Sequence, residues 1–203
     1  MNTKIKMCGI RTSEDMKWIW RIVPEYIGCV FAEKSWRYIT PEQAVQLVSD
    51  LDEKITPVGV FVDSDFERIK NIFDMGAIKI AQLHGNEPDE LILRLQDTGI
   101  KVIRAFQVKN VAVIEKAEHS PADLVLLDSG QGSGETFDWS LIKQISRPYF
   151  LAGGLDSKNV RQAIDELHPY AVDVSSGIET NGVKDCEKMM EFAYAVRNEH
   201  TAD

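Results

Sequence analysis

Apolar residues in this chain gather into eight short runs separated by amphipathic stretches. The runs occupy residues 4–9, 26–31, 57–62, 77–84, 101–106, 124–129, 149–154 and 171–176. Several are apolar at successive positions rather than alternate ones, the pattern of parallel strands buried on both faces. The stretches between them carry helix signals. Thr40-Pro41-Glu42-Gln43 combines an N-cap threonine, a proline at the first helical position and a capping-box glutamine. Ala44, Leu47, Val48 and Leu51 then share one face. Ser64-Asp65-Phe66-Glu67 reads as a second capping box ahead of Ile69, Ile72 and Phe73. Helical spacing also joins Met16, Ile19, Trp20 and Val23, and again Met189, Phe192, Ala193 and Val196. Asp156 is placed to cap a helix carrying Val160, Ala163, Ile164 and Leu167.

Eight strand–helix units in 203 residues lie near the lower size limit of a (β/α)8 barrel. A doubly wound open sheet alternates in the same way, and the count of eight favours the barrel. No linker, low-complexity segment or repeat beyond the βα unit stands out, so one domain over 1–203 is expected.

Composition narrows the function classes. Hydrophobic residues make up 44% and charged residues 27%, the profile of an ordinary soluble globular chain. The formal net charge of −9 argues against nonspecific binding to nucleic acid or anionic membranes. It leaves room for an anionic small molecule held by a local cationic site. The three cysteines (Cys8, Cys29 and Cys186) are widely spaced, which suggests a reducing compartment and neither a disulfide framework nor a metal-ligand pair. No apolar run approaches the roughly 20 residues of a membrane span and no signal peptide is visible, so a cytoplasmic location is expected.

In a barrel, the chemistry collects at the carboxyl ends of the strands. Cys8 closes the first run and Gly9 follows. Cys8 reads either as a small buried hydrophobe or as a base, and a base would need its thiol pKa lowered by cations such as Lys6 or Arg37. Asp128 closes the sixth run, where an aspartate either shapes a turn or serves as an acid whose pKa burial would raise. Cys29, inside a strand, and Cys186, at a helix start, read as packing residues. Gly153-Gly154 follow the seventh run and Ser175-Ser176-Gly177 the eighth. Phosphate frequently binds at these two loops in barrels, although each glycine pair would also serve a tight turn. The glycine-rich run from Gly130 to Gly134 suggests a lid. Arg37, in the loop after the second run, could fork around a carboxylate or be a solvated basic residue. His84 could touch substrate or satisfy a loop hydrogen bond.

At these residues the chain resembles the phosphoribosylanthranilate isomerase family. The matching segments include Lys6-Met7-Cys8-Gly9-Ile10, Lys34-Ser35-Trp36-Arg37-Tyr38-Ile39, Val58-Gly59-Val60-Phe61-Val62 and Gln82-Leu83-His84-Gly85. They continue through Leu127-Asp128-Ser129, Gly132-Ser133-Gly134-Glu135-Thr136-Phe137-Asp138-Trp139, Ala152-Gly153-Gly154-Leu155 and Val172-Asp173-Val174-Ser175-Ser176-Gly177-Ile178-Glu179. Small departures are Met7, where isoleucine is usual, Ala32-Glu33 in place of a Tyr-Pro-like pair, and a short stretch between Asp128 and Gly132.

The resemblance implies a (β/α)8 TIM barrel of the ribulose-phosphate-binding type, needing no metal and no organic cofactor. It implies an Amadori rearrangement in tryptophan biosynthesis, converting N-(5-phosphoribosyl)anthranilate to 1-(2-carboxyphenylamino)-1-deoxyribulose 5-phosphate. Asp128 would be the general acid, Cys8 the general base and Arg37 the holder of the anthranilate carboxylate. Phosphate would sit at Gly153, Gly154, Ser175 and Ser176, with Asp173 reaching ribose hydroxyls and His84 lining the substrate site. The expected partner is a small phosphosugar, with no nucleic acid and no membrane, and the working unit a monomer or homodimer. Two rival readings are another phosphosugar enzyme of the same architecture and a noncatalytic phosphosugar-binding barrel. The second would keep the glycine loops without needing both Cys8 and Asp128.

Overall fold

The computed structural model describes residues 2–129 and 139–198. Eight parallel strands close into one barrel in sequence order. They are β1 (Lys4–Cys8), β2 (Tyr26–Val30), β3 (Thr56–Phe61), β4 (Ile80–Leu83), β5 (Lys101–Gln107), β6 (Leu124–Asp128), β7 (Tyr149–Ala152) and β8 (Ala171–Val174). The ring is sealed by β1 and β8, with Lys4 opposite Ala171 and Lys6 opposite Asp173. The helices outside are α1 (Ser13–Ile22), α2 (Pro41–Val48), α3 (Phe66–Asp74), α4 (Asp89–Asp97), α5 (Val111–Glu118), α6 (Val160–Leu167) and α7 (Cys186–Arg197). No described helix is long and apolar enough to cross a membrane.

Alternation along each strand sends one set of side chains inward and the other toward the helices. Ile5, Met7, Val125, Leu127 and Val172 pack outward against helix residues such as Met16, Ile19 and Phe192. Inside, Tyr26, Val58, Ile80, Ile103, Leu126, Phe150 and Ala171 form an apolar plug. Tyr26 and Tyr170 meet Phe150 edge-on, with ring centroids 5.2 and 5.8 Å away. Two residues further along the same strands, the interior turns polar with Gln82, Asp128 and Asp173. The plug thus becomes the floor of a mouth at the carboxyl ends.

Helix signals in the sequence translate with small shifts. Thr40 caps α2 with the full reciprocal box, its hydroxyl accepting from Gln43 N while Gln43 Oε1 accepts from Thr40 N. Met189, Phe192, Ala193 and Val196 are all buried, as are Val160, Ala163, Ile164 and Leu167. The expected box at 64–67 does not form. Asp65 is the cap of α3 and accepts from Arg68 N at 2.8 Å. A carboxylate beside the positive end of the helix is the stronger cap, and Arg68, three residues on, cannot reciprocate. Trp20 is 49% exposed, contrary to the face inferred from spacing. The buried stripe of α1 is Met16, Ile19 and Ile22, and Val23 already leaves the helix in the left-handed region at φ 51°. Asp156 accepts from Lys158 N and Asn159 N, capping the turn before α6, and Asn159 is the N-cap itself. Between β6 and β7 the described residues hold only a 3-10 turn, Ile142–Gln144, where the reading of eight strand–helix units implies a helix. The expected lid at 130–134 lies outside the described residues.

Candidate active site

The mouth is built first by glycines. Gly9 has φ 82°, and a Cβ there would lie 2.6 Å from Cδ of Arg37. Gly28, on the neighbouring strand, faces Cys8 so closely that a Cβ would lie 2.7 Å from Sγ. Glycine at these positions lets the arginine stem cross the end of β1 and leaves space for the thiol.

Cys8 is almost fully buried. Directly beneath it, on the inner face of β1, Lys6 is wholly buried and donates to Asp173 Oδ1 at 2.9 Å. Burial pushes the Cys8 thiol above its ordinary value, and Lys6 and Lys184 pull it only part of the way back. The lowering that would favour a thiolate is therefore absent, because desolvation outweighs the nearby cations. Burial works against the charge on Lys6, but Asp173 and Cys8 more than restore it, leaving its pKa raised. Cys29 faces the helices, and burial pushes its thiol up to about 12, consistent with a packing role. Cys186 opens α7 and is half-buried.

Across the barrel, Asp128 ends β6 on the inward face, and its side chain is 27% exposed rather than buried. Its Oδ1 lies 2.7 Å from where a Cβ on Gly153 would be. Gly153 has φ 101°, so glycine serves there for both backbone and space. Ser129 ties the two strand ends, donating from Oγ to Gly153 O at 3.0 Å. His84 points Nε2 toward Asp128 Oδ2 at 3.7 Å, and its Nδ1 lies 3.0 Å from Gln82 Nε2.

Beyond β8 the chain forms a 3-10 turn, Ser176–Ile178, and a small hairpin of β9 (Glu179–Thr180) and β10 (Val183–Lys184). Gly177 sits so tightly on Leu155 O that a side chain has no room, so the loops after β7 and β8 lie against each other. Gly153, Gly154, Ser175 and Ser176 consequently line one stretch of rim. Ser175 Oγ donates to Cys8 O at 3.1 Å, joining that stretch to β1. Asp173 gives one oxygen to Lys6 within the barrel.

Arg37 reaches the same rim from the loop after β2. That loop contains Ala32-Glu33 and is folded by Ser35 N–Ala32 O and Tyr38 N–Ser35 O hydrogen bonds. The guanidinium donates through Nε and Nη2 to both oxygens of Glu179, at 2.9 and 2.8 Å. It lies 4.0 Å from the Trp36 ring centroid. Lys184, only 3% exposed, donates to Glu179 Oε1 at 2.7 Å and to Ser175 O at 3.0 Å. Sequence reasoning gave no role to Glu179, Lys184 or Gln82. Glu179 sits in a segment shared with the family, but the burial of Lys184 depends on a two-residue hairpin with no apolar pattern to mark it.

A cavity of about 970 Å³ opens at the other end of the barrel, lined by Thr3, Lys4, Arg147, Tyr149 and Tyr170 among others, far from Cys8 and Asp128. Arg147 there is engaged by backbone carbonyls of Ala117, Ser120 and Ala122.

A sequence model described as N-(5'phosphoribosyl)anthranilate (PRA) isomerase matches residues 5–195. The chain belongs to the phosphoribosylanthranilate isomerase family. It is 41% identical to the N-(5'-phosphoribosyl)anthranilate isomerase of Clostridium acetobutylicum, over 96% of this chain and 98% of that one. The crystal structure of phosphoribosyl anthranilate isomerase from Thermotoga maritima superposes with a TM-score of 0.89 at 38% identity, covering 96% of this chain and 98% of the other. A crystal structure of a family member in complex with reduced 1-(o-carboxyphenylamino)-1-deoxyribulose 5-phosphate superposes with a TM-score of 0.87 at 38% identity, again over 96% and 98% of the two chains. The family is one of isomerases, and the barrel read from the sequence is its fold.

Proposed function

We propose that this isomerase converts N-(5-phosphoribosyl)anthranilate to 1-(2-carboxyphenylamino)-1-deoxyribulose 5-phosphate, with Asp128 as general acid and Cys8 as general base. The observation that carries the reading is one thiol and one carboxyl on the inward faces of β1 and β6, both at the carboxyl rim of a closed barrel. Family membership supplies the substrate.

Asp128 gives its proton to the furanose ring oxygen as the C1–O bond breaks, and the anthranilate nitrogen takes up the charge as a protonated Schiff base. His84, with Nε2 3.7 Å from Asp128 Oδ2, stands beside the carboxylate left on Asp128. Cys8, as thiolate, removes the proton from C2, and its electron pair forms the C1–C2 double bond of an enolamine. Loss of the enol O–H proton and protonation of C1 then give the ketose, so atoms and charge balance over the cycle. The raised thiol pKa makes thiolate scarce near neutrality but a stronger base when formed. The phosphate lies on the backbone at Gly153, Gly154, Ser175 and Ser176, where a missing Cβ or an N–H-rich turn admits it. Arg37 takes the anthranilate carboxylate, Asp173 faces the ribose hydroxyls, and the substrate is held at both ends with C2 between acid and base.

Loss of substrate fluorescence tests the assignment. Cys8→Ala and Asp128→Asn should each lower kcat by roughly 10²- to 10⁴-fold with KM within a few-fold of wild type. Arg37→Ala should mainly raise KM. Near-normal turnover by either of the first two variants would remove that residue from the chemistry.

A further inference from the structure

The ion network Arg37–Glu179–Lys184 is larger than carboxylate binding by one arginine requires. Glu179 holds Arg37 on the Nε–Nη2 edge with two short hydrogen bonds and is itself nearly buried. Lys184 donates to Glu179 Oε1, the same oxygen that accepts from Arg37 Nε, and is in turn fixed by the backbone oxygen of Ser175, just after β8. Lys188 Nζ donates to Glu179 O at 2.8 Å, anchoring the same residue through its backbone. The loop after β2 is clasped to the hairpin independently. Arg11 donates to Trp36 O at 2.8 Å and Gly182 O at 3.2 Å, and the Trp36 ring lies over Gly182. Every bond in this set restrains where the guanidinium of Arg37 sits. A guanidinium has five N–H donors in a rigid plane. With the Nε–Nη2 edge given to Glu179, the Nη1–Nη2 edge is the fork left for a second carboxylate.

We propose that Glu179 and Lys184 are positioning residues for Arg37, presenting its Nη1–Nη2 edge to the ring carboxylate of the substrate. The inference rests on the reading of Arg37 given above. Its physical basis is preorganisation: an arginine stem has several rotatable bonds, and holding them before binding removes that ordering cost from the binding step. Charge alone argues the other way. Removing the negative charge of Glu179 from beside two cations would strengthen attraction for an anion. The two accounts therefore predict opposite signs for one substitution.

The test compares two ligands: reduced 1-(o-carboxyphenylamino)-1-deoxyribulose 5-phosphate and the same molecule without its ring carboxylate. Wild type should prefer the carboxylated ligand by about 10- to 100-fold, the scale of hydrogen bonds to a charged group. Glu179→Gln and Lys184→Met should each cut that preference by about tenfold, while affinity for the decarboxylated ligand stays within about twofold. Lys184→Arg, which keeps a donor to Glu179, should restore most of the preference. In turnover, Glu179→Gln should raise KM and leave kcat within about threefold. A preference that survives or grows in Glu179→Gln would overturn the proposal, as would equal loss of affinity for both ligands. If Arg37→Ala keeps the preference, the reading of Arg37 itself fails. If Arg37→Ala loses it and Glu179→Gln does not, only the positioning role falls.

Discussion

At Cys8 two opposing influences meet, and burial is the stronger. The thiol is packed against Gly28, with Lys6 below it and Lys184 acting on it, and still ends above its ordinary value near 9. Below that pKa the thiolate fraction grows tenfold with each pH unit, from neutral pH to about pH 9. Alkylation of Cys8 by iodoacetamide, in a protein lacking Cys29 and Cys186, should follow the same curve. Alkylation flat across that range would mean that the thiol is already ionised at neutral pH. The sequence made the candidate pair legible because Cys8 and Asp128 each end an apolar run, which is a purely local pattern. It could not show that Cys8 would be nearly sealed and Asp128 part-exposed. Burial at a strand end depends on what neighbouring strands place alongside, and that is set by glycines such as Gly28.

Among the elements, strands and caps were the most readable features. Parallel strands enclosed on both faces are continuous apolar runs, and all eight were found within a few residues of their ends. The largest shift is at β4, which begins at Ile80, with Lys79 N bonded to Pro57 O before the ladder starts. The cap of α2 was legible because threonine, proline and glutamine occupy fixed offsets. Thr40→Ala removes one half of that reciprocal box and should cost about 1 kcal/mol in urea unfolding, with activity intact. Unchanged stability would mean that water satisfies the freed Gln43 N–H equally well. The hairpin of β9 and β10 escaped reading because two-residue strands carry no periodicity. Yet it brings Glu179 and Lys184 to the rim, so the least legible element supplies the ion network around Arg37. The face of α1 was misjudged at Trp20 because two aliphatic stripes fit the same spacing, and only packing against the barrel selects Ile22.

For the molecule as a whole, the Lys6–Asp173 pair is a costly interior feature. Lys6 is 0% exposed and Asp173 9%, each taken almost wholly out of water. Such pairs gain little over apolar residues of the same shape, but losing one partner strands a charge. Lys6→Met should therefore destabilise the barrel by about 3–5 kcal/mol, and Lys6→Met with Asp173→Leu should recover much of it. Urea midpoints measured for both variants and wild type check this. A single variant as stable as wild type would mean that the pair adds nothing to stability. The two residues stand 167 positions apart, and the bond between them spans the seam where the last strand meets the first. During synthesis this has a consequence. Cys8 is synthesised well before Asp173, Ser175, Glu179 and Lys184. Until they do, β1 is an open edge with an unneutralised lysine facing inward. A nascent chain can thus hold its thiol without a working centre until β8 has been made, because only then can the ring close on β1.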